Sequence, residues 1–239
     1  MNASIMRFIF RGPALLCALT ALLLSACAST PRIPAQQPLG MGVFDQQPAQ
    51  SPQARLHGGP DARLAVMLTR NTIANTRYIR ERRIDYEDKW TGNAWMQPYG
   101  VLLDPSFPLA WVANSLKRQF GTVKLVSTLA EFREGDFDGL ALVDIFYEPY
   151  GKGIPDTTSR VTVAFYDTQV RYVGVAASRE YKADTGLCCW SYADVVPYSR
   201  KQHRPLTDAL AEFDANLLSV VDRSGVAQSA SGKRSTVQK

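Results

Sequence analysis

Histidine is almost missing from this chain: of its 239 residues only His57 and His203 carry an imidazole. A hydrolytic triad needs such a base beside its nucleophile. His57 falls in a Pro- and Gln-rich stretch, and His203, in SRKQHRP, is crowded by cations. No G-x-S-x-G elbow occurs, and Gly151-Lys152-Gly153 lacks the spacing and the following helix of a phosphate-binding loop. Cysteine is equally sparse, with Cys17 and Cys27 near the start and the adjacent Cys188 and Cys189 far beyond them. Two neighbouring residues cannot build a disulfide framework. They can close a vicinal bridge, pair with another chain or stay buried as small apolar groups. So few nitrogen and sulfur ligands leave no metal site or cofactor to expect. Long apolar runs are missing too, since the eleven residues from Ala14 to Leu24 fall well short of the roughly 20 that span a bilayer. Nor is there a charge imbalance in the body of the protein. Arg7, Arg11, Lys233, Arg234 and Lys239 account for the whole excess of 27 basic over 22 acidic residues, so nucleic acid is not an expected partner.

The most specific stretch lies at the start. Two arginines, Arg7 and Arg11, precede the short apolar run, and small residues follow it, which is the plan of a secretory signal peptide. Its last four residues, Leu24-Ser25-Ala26-Cys27, resemble the lipobox of bacterial lipoproteins. The resemblance implies cleavage before Cys27, a diacylglyceryl group on its sulfur and an acyl group on its new amino terminus. Three chains, each buried methylene contributing about 0.8 kcal/mol, hold such a protein on a membrane essentially permanently. Ala28 is not the aspartate that retains enterobacterial lipoproteins at the inner membrane, so the resemblance points to the periplasmic face of the outer membrane.

Composition then divides the chain. Residues 1–26 are the signal peptide, and 27–60 carry the lipidated cysteine and a stretch rich in Pro, Gln and Ala that is expected to be a disordered tether. Taut, such a tether reaches roughly 110 Å. Residues 61–224 are expected to form a single periplasmic domain and 225–239 a disordered basic tail. Within the domain, RLAVML from Arg63 to Leu68 reads as a buried strand. Residues 69–104 read as an irregular or strand-bearing insertion, because no apolar helical face is free of charge. A helix follows with Leu109, Val112, Ala113, Leu116 and Phe120 on one face, Ser106 as its cap and Gly121 as its close. Strands are expected at 122–127 and at 138–147, the latter apolar on both faces and so central. Val161, Val163 and Phe165 alternate with polar residues in a further strand, which turns at Asp167-Thr168 into an antiparallel neighbour at 169–181. A short strand is expected at YADVV, and a closing helix from Pro205 to Val221 with Leu206, Leu210, Phe213, Leu217 and Val220 on one face.

This order predicts an α+β fold: a two-layer sandwich of a mixed, mostly antiparallel sheet with two amphipathic helices on one face. The layout from Arg63 to Val221 resembles small outer-membrane lipoproteins of the YajG-like and ABC-transport auxiliary type. That resemblance implies a non-catalytic binding or accessory module of an envelope complex, with an envelope protein or peptidoglycan as partner and the membrane held through the lipid. Two other readings stay open. An envelope hydrolase of sugars or esters would use Asp144 or His203, although Asp144 and Glu148 lie roughly 13 Å apart along one strand. A lipid or small-ligand carrier would use a pocket between helix and sheet. A contact surface is offered by Arg77, Arg80, Arg82 and Arg83 together with Trp90, Trp95 and Tyr99, unless the tryptophans pack the insertion onto the sheet.

Overall fold

The computed structural model describes residues 31–37, 55–90, 102–149, 156–184 and 192–221. The expected sites Cys27, Trp95, Tyr99, Cys188 and Cys189, and the side chain of Trp90, lie outside the described residues. The chain divides after Pro31, and the part from Arg32 onward is one compact unit.

Strand β1 (Gly59–Leu68) leads into helix α1 (Arg70–Trp90) and then α2 (Ser106–Lys117). Strand β2 (Phe120–Leu125), the short helix α3 (Leu129–Glu134), β3 (Gly139–Glu148), β4 (Asp156–Asp167), β5 (Tyr172–Ala177) and β6 (Tyr181–Asp184) follow. The long helix α4 (Tyr192–Val220) closes the fold. The sheet order is β2-β1-β3-β4-β5, with β6 also paired to β4. β1 is parallel to β2 and to β3, while β3–β4, β4–β5 and β4–β6 are antiparallel. The protein thus has the expected α+β fold with a mixed sheet, and the strand that is apolar on both faces is indeed central.

Alternation along the strands divides the core in two. Leu64, Val66, Ala141, Val143, Ile145, Tyr147, Val161, Val163 and Phe165 face α1, α2 and α4 and meet Tyr78, Ile79, Val112, Leu116, Leu206, Leu210, Phe213 and Leu217 there. Ala65, Met67, Leu140, Leu142, Ala164 and Tyr166 face the other way, against Phe132 of α3.

The helices depart from expectation. Residues 70–90, read as irregular or strand-bearing, form α1. α4 begins at Tyr192, not at Pro205, and runs through YADVV and through Pro197 and Pro205. An interior proline costs a helix about 3 kcal/mol, but the buried face continues unbroken through Ser199, Gln202, Leu206, Leu210, Phe213 and Leu217. Packing on that face outweighs the local penalty. Ser106 is not the cap but the first residue of α2, behind Pro105 with no side-chain cap; Asp104 Oδ1 accepts from the Ser106 hydroxyl at 2.6 Å and from its backbone N–H at 2.9 Å. That hydroxyl bond in particular holds the Asp104 carboxyl below its usual pKa.

Gly121 does not close a helix either; it lies in β2. The register steps from Gly59↔Phe120 to Arg63↔Thr122, so β1 bulges opposite this glycine. A Cβ here would overlap the carbonyl oxygen of Pro60. Because the obstacle is backbone, Gly121→Ala is expected to destabilise the domain by about 2 kcal/mol, as overpacking does. Thermal unfolding checks this, and an unchanged midpoint would mean that the bulge yields freely.

The stretch expected to be tether also carries order where it is described. Leu56 is 1% exposed and belongs to the main core, and Ile33 packs against that core.

Candidate functional site

Helix α1 is the element on which the candidate residues converge, and its inner face is polar for a reason. Pairing between β1 and β3 ends at Leu68↔Val143, which leaves backbone groups of β3 beyond Val143 without a strand on that side. α1 supplies the missing partners from its side chains. The Thr72 hydroxyl donates to the Val143 carbonyl at 2.9 Å and accepts from the Ile145 N–H at 2.8 Å. One turn on, the Asn75 carboxamide donates to the Tyr147 carbonyl at 2.9 Å and accepts from its N–H at 3.0 Å. A carboxamide carries the same donor and acceptor as a peptide group, so Asn75 stands in for a strand residue.

At the first turn of α1 a second polar cluster forms. Asp144 is 2% exposed, and its Oδ2 accepts from the Thr69 hydroxyl at 2.8 Å and from Asn71 Nδ2 at 2.9 Å. Its Oδ1 lies 3.9 Å from Arg160 Nη2. Asn71 also binds Gln37 reciprocally: the Gln37 N–H donates to Asn71 Oδ1 at 2.9 Å, and the Gln37 carbonyl accepts from Asn71 Nδ2 at 2.7 Å. Residues 32–37 are thereby fastened to the domain.

The outer face of α1 presents Ile73, Arg77, Arg80 and Ile84, spaced to form one exposed stripe, with Arg70 beside it. Arg83 is exposed too, and its Nε pairs with Glu87 at 2.7 Å. Arg82, expected on the contact surface with the others, points inward and is only 3% exposed. Helical geometry is the reason, because Arg82 follows Asn75 and Tyr78 on the sheet-facing side. Burial raises the pKa of both Tyr78 and Glu148, and the charge of Arg82 works against that rise in each.

No protein-family model and no curated protein matches the chain. Among solved structures it is similar to the PelC dodecamer from Paraburkholderia phytofirmans, at 11% identity, covering 66% of this chain and 93% of that one, with a TM-score of 0.31. It is also similar to the DUF330 protein XCC0632 from Xanthomonas campestris, at 12% identity, covering 76% of this chain and 97% of that one, with a TM-score of 0.31.

The two residues considered for hydrolysis do not come together. Asp144 shares its parity on β3 with Leu140 and Leu142, so it faces away from the layer that holds α4. His203 lies in α4, its ring 5.1 Å from that of Phe107. Burial lowers its pKa, and its buried Nε2 meets no hydrogen-bond partner among the described residues. His57 is exposed. Among the described residues no group of three or more His, Cys, Asp or Glu side chains is placed to hold a metal ion, and no helix is long and apolar enough to cross a membrane. The positions that sequence reasoning missed are Asn71, Thr72, Asn75 and Gln37. Their one signal, small polar residues spaced along a helix, is shared with any solvated face.

Proposed function

We propose that this chain is an outer-membrane lipoprotein, anchored through Cys27 on the periplasmic face. Its α+β domain serves an envelope complex as a non-catalytic binding or accessory module, with an envelope protein or peptidoglycan as partner. The anchor rests on Leu24-Ser25-Ala26-Cys27 closing a short apolar run behind Arg7 and Arg11. Support for a non-catalytic role comes from how the polar groups are used. Thr72 and Asn75 complete the edge of β3, and Asp144 ties the β1–α1 junction.

The test has two parts. Cys27→Ala is expected to move the protein from the membrane to the soluble periplasmic fraction, and intact mass of the wild-type protein to show three acyl chains. An unmodified Cys27 would overturn the anchor. For the domain, Asp144→Asn and His203→Asn are expected to leave cellular function intact at unchanged abundance, while crosslinking in cells captures an envelope partner. Loss of function in either variant, with folding preserved, would favour a hydrolase instead.

A further inference from the structure

The outer face of α1 and the fastened segment 32–37 become one feature when chain length is considered. We propose that the exposed stripe of α1 rests on the bilayer that holds the lipid, its arginines against anionic phospholipid headgroups and Ile73 and Ile84 in the interfacial region. This rests on the anchor reading above.

Covalent reach is the first step. With residues 32–37 fastened through Ile33 and the Gln37–Asn71 pair, only five peptide steps separate Cys27 from Arg32, a span of roughly 18 Å at most. The unfastened tether would reach roughly 110 Å. Attraction between a basic face and anionic lipid falls away within a Debye length of about 8 Å. A domain on the long tether would seldom feel it, whereas one held by the fastened segment stays near that range.

Location and chemistry choose the face. The Gln37–Asn71 pair sets the segment against the first turn of α1, so this helix is the one tied directly to the anchor-proximal chain. Residues 70–80 contain Arg70, Arg77 and Arg80 and no acidic side chain, and all three arginines are exposed without an ion pair among the described residues. Acidic residues begin at Glu81, which weights the contact to the first three turns. The stripe also exposes isoleucines, Ile73 at 49% between Arg70 and Arg77 and Ile84 at 51% one turn beyond Arg80. Alternating basic and apolar groups on one helix face suit a headgroup region, which offers phosphate and acyl chain within one shallow layer.

The test uses the full lipidated protein in cells. A benzophenone amino acid replaces Ile73 or Ile84 and, as controls on other elements, Leu125 or Leu218, exposed at 62% and 53%. After irradiation, phospholipid adducts are expected by mass at the two α1 positions and not at the controls. Arg77→Glu combined with Arg80→Glu should cut the adduct yield at least about tenfold, and Ile33→Asp should cut it with every arginine in place. Polypeptide adducts at positions 73 and 84, or none, on protein whose Cys27 is shown by mass to be acylated, would overturn the membrane-facing assignment and leave the anchor standing. An unacylated Cys27 would remove both.

Discussion

Replacing Asn75 by alanine is expected to cost the domain about 4 kcal/mol, because each buried backbone group left without a partner costs roughly 1–3 kcal/mol. Asn75 is 3% exposed and satisfies two such groups at once, the N–H and the carbonyl of Tyr147. Asn75→Asp keeps the acceptor for the Tyr147 N–H, loses the donor to its carbonyl and adds a buried charge, so it should be no milder. Arg77→Ala, two residues on and exposed, serves as the control and should shift stability by no more than about 0.5 kcal/mol. Urea unfolding of the three variants decides the matter. A loss below about 1 kcal/mol for Asn75→Ala would mean that the edge of β3 finds its partners elsewhere.

The same residue shows why α1 could not be read from the sequence. Hydrophobic periodicity finds a helix by the apolar residues it buries, and α1 buries Asn71, Thr72, Asn75 and Arg82 alongside Tyr78 and Ile79. Those polar groups are inside because a strand edge needs donors and acceptors. That demand arises from tertiary structure and leaves no periodic trace. β4 was legible because it obeys alternation: Val161, Val163 and Phe165 face one layer and Ala164 and Tyr166 the other; the strand expected at 169–181 is instead two, β5 and β6, and the one expected at YADVV is helix. The second half of α4 was legible for the analogous reason. Its first half was hidden by Pro205, whose preference for a first turn is local, and by Ser199 and Gln202, which are buried yet polar.

Of the candidate site, Asp144 was singled out from the sequence for hydrolysis, but only the fold brings it Thr69 and Asn71 as partners. The arginines were visible as a cluster, but only the helix separates Arg82, turned inward, from Arg77 and Arg80, turned outward. A lipobox is read along the chain and needs no fold to be recognised. A face must be assembled.

Leu56→Ala is expected to lower stability by about 3 kcal/mol, within the range of roughly 2–5 kcal/mol for truncating a fully buried leucine. Composition argues the reverse. Arg55 to Pro60 reads RLHGGP, with a single large apolar residue, and a tether of that kind should tolerate alanine anywhere. The structure buries that one residue to 1% exposure in the main core. It lies so close over β3 that a Cβ on Gly139 would overlap its Cδ1. The Gly59 N–H donates to the Gln119 carbonyl at 2.8 Å and pins the segment beside the end of α2. A loss of this size is a large part of the 5–15 kcal/mol that typical domains possess, so a chain beginning at Arg63, which also lacks the bulged start of β1, should unfold at still lower urea than Leu56→Ala. Equal midpoints for wild type and Leu56→Ala would return residues 55–60 to the tether. A clear drop would put the start of the folded domain at Arg55, leaving about 17 residues between it and the fastened segment at 32–37.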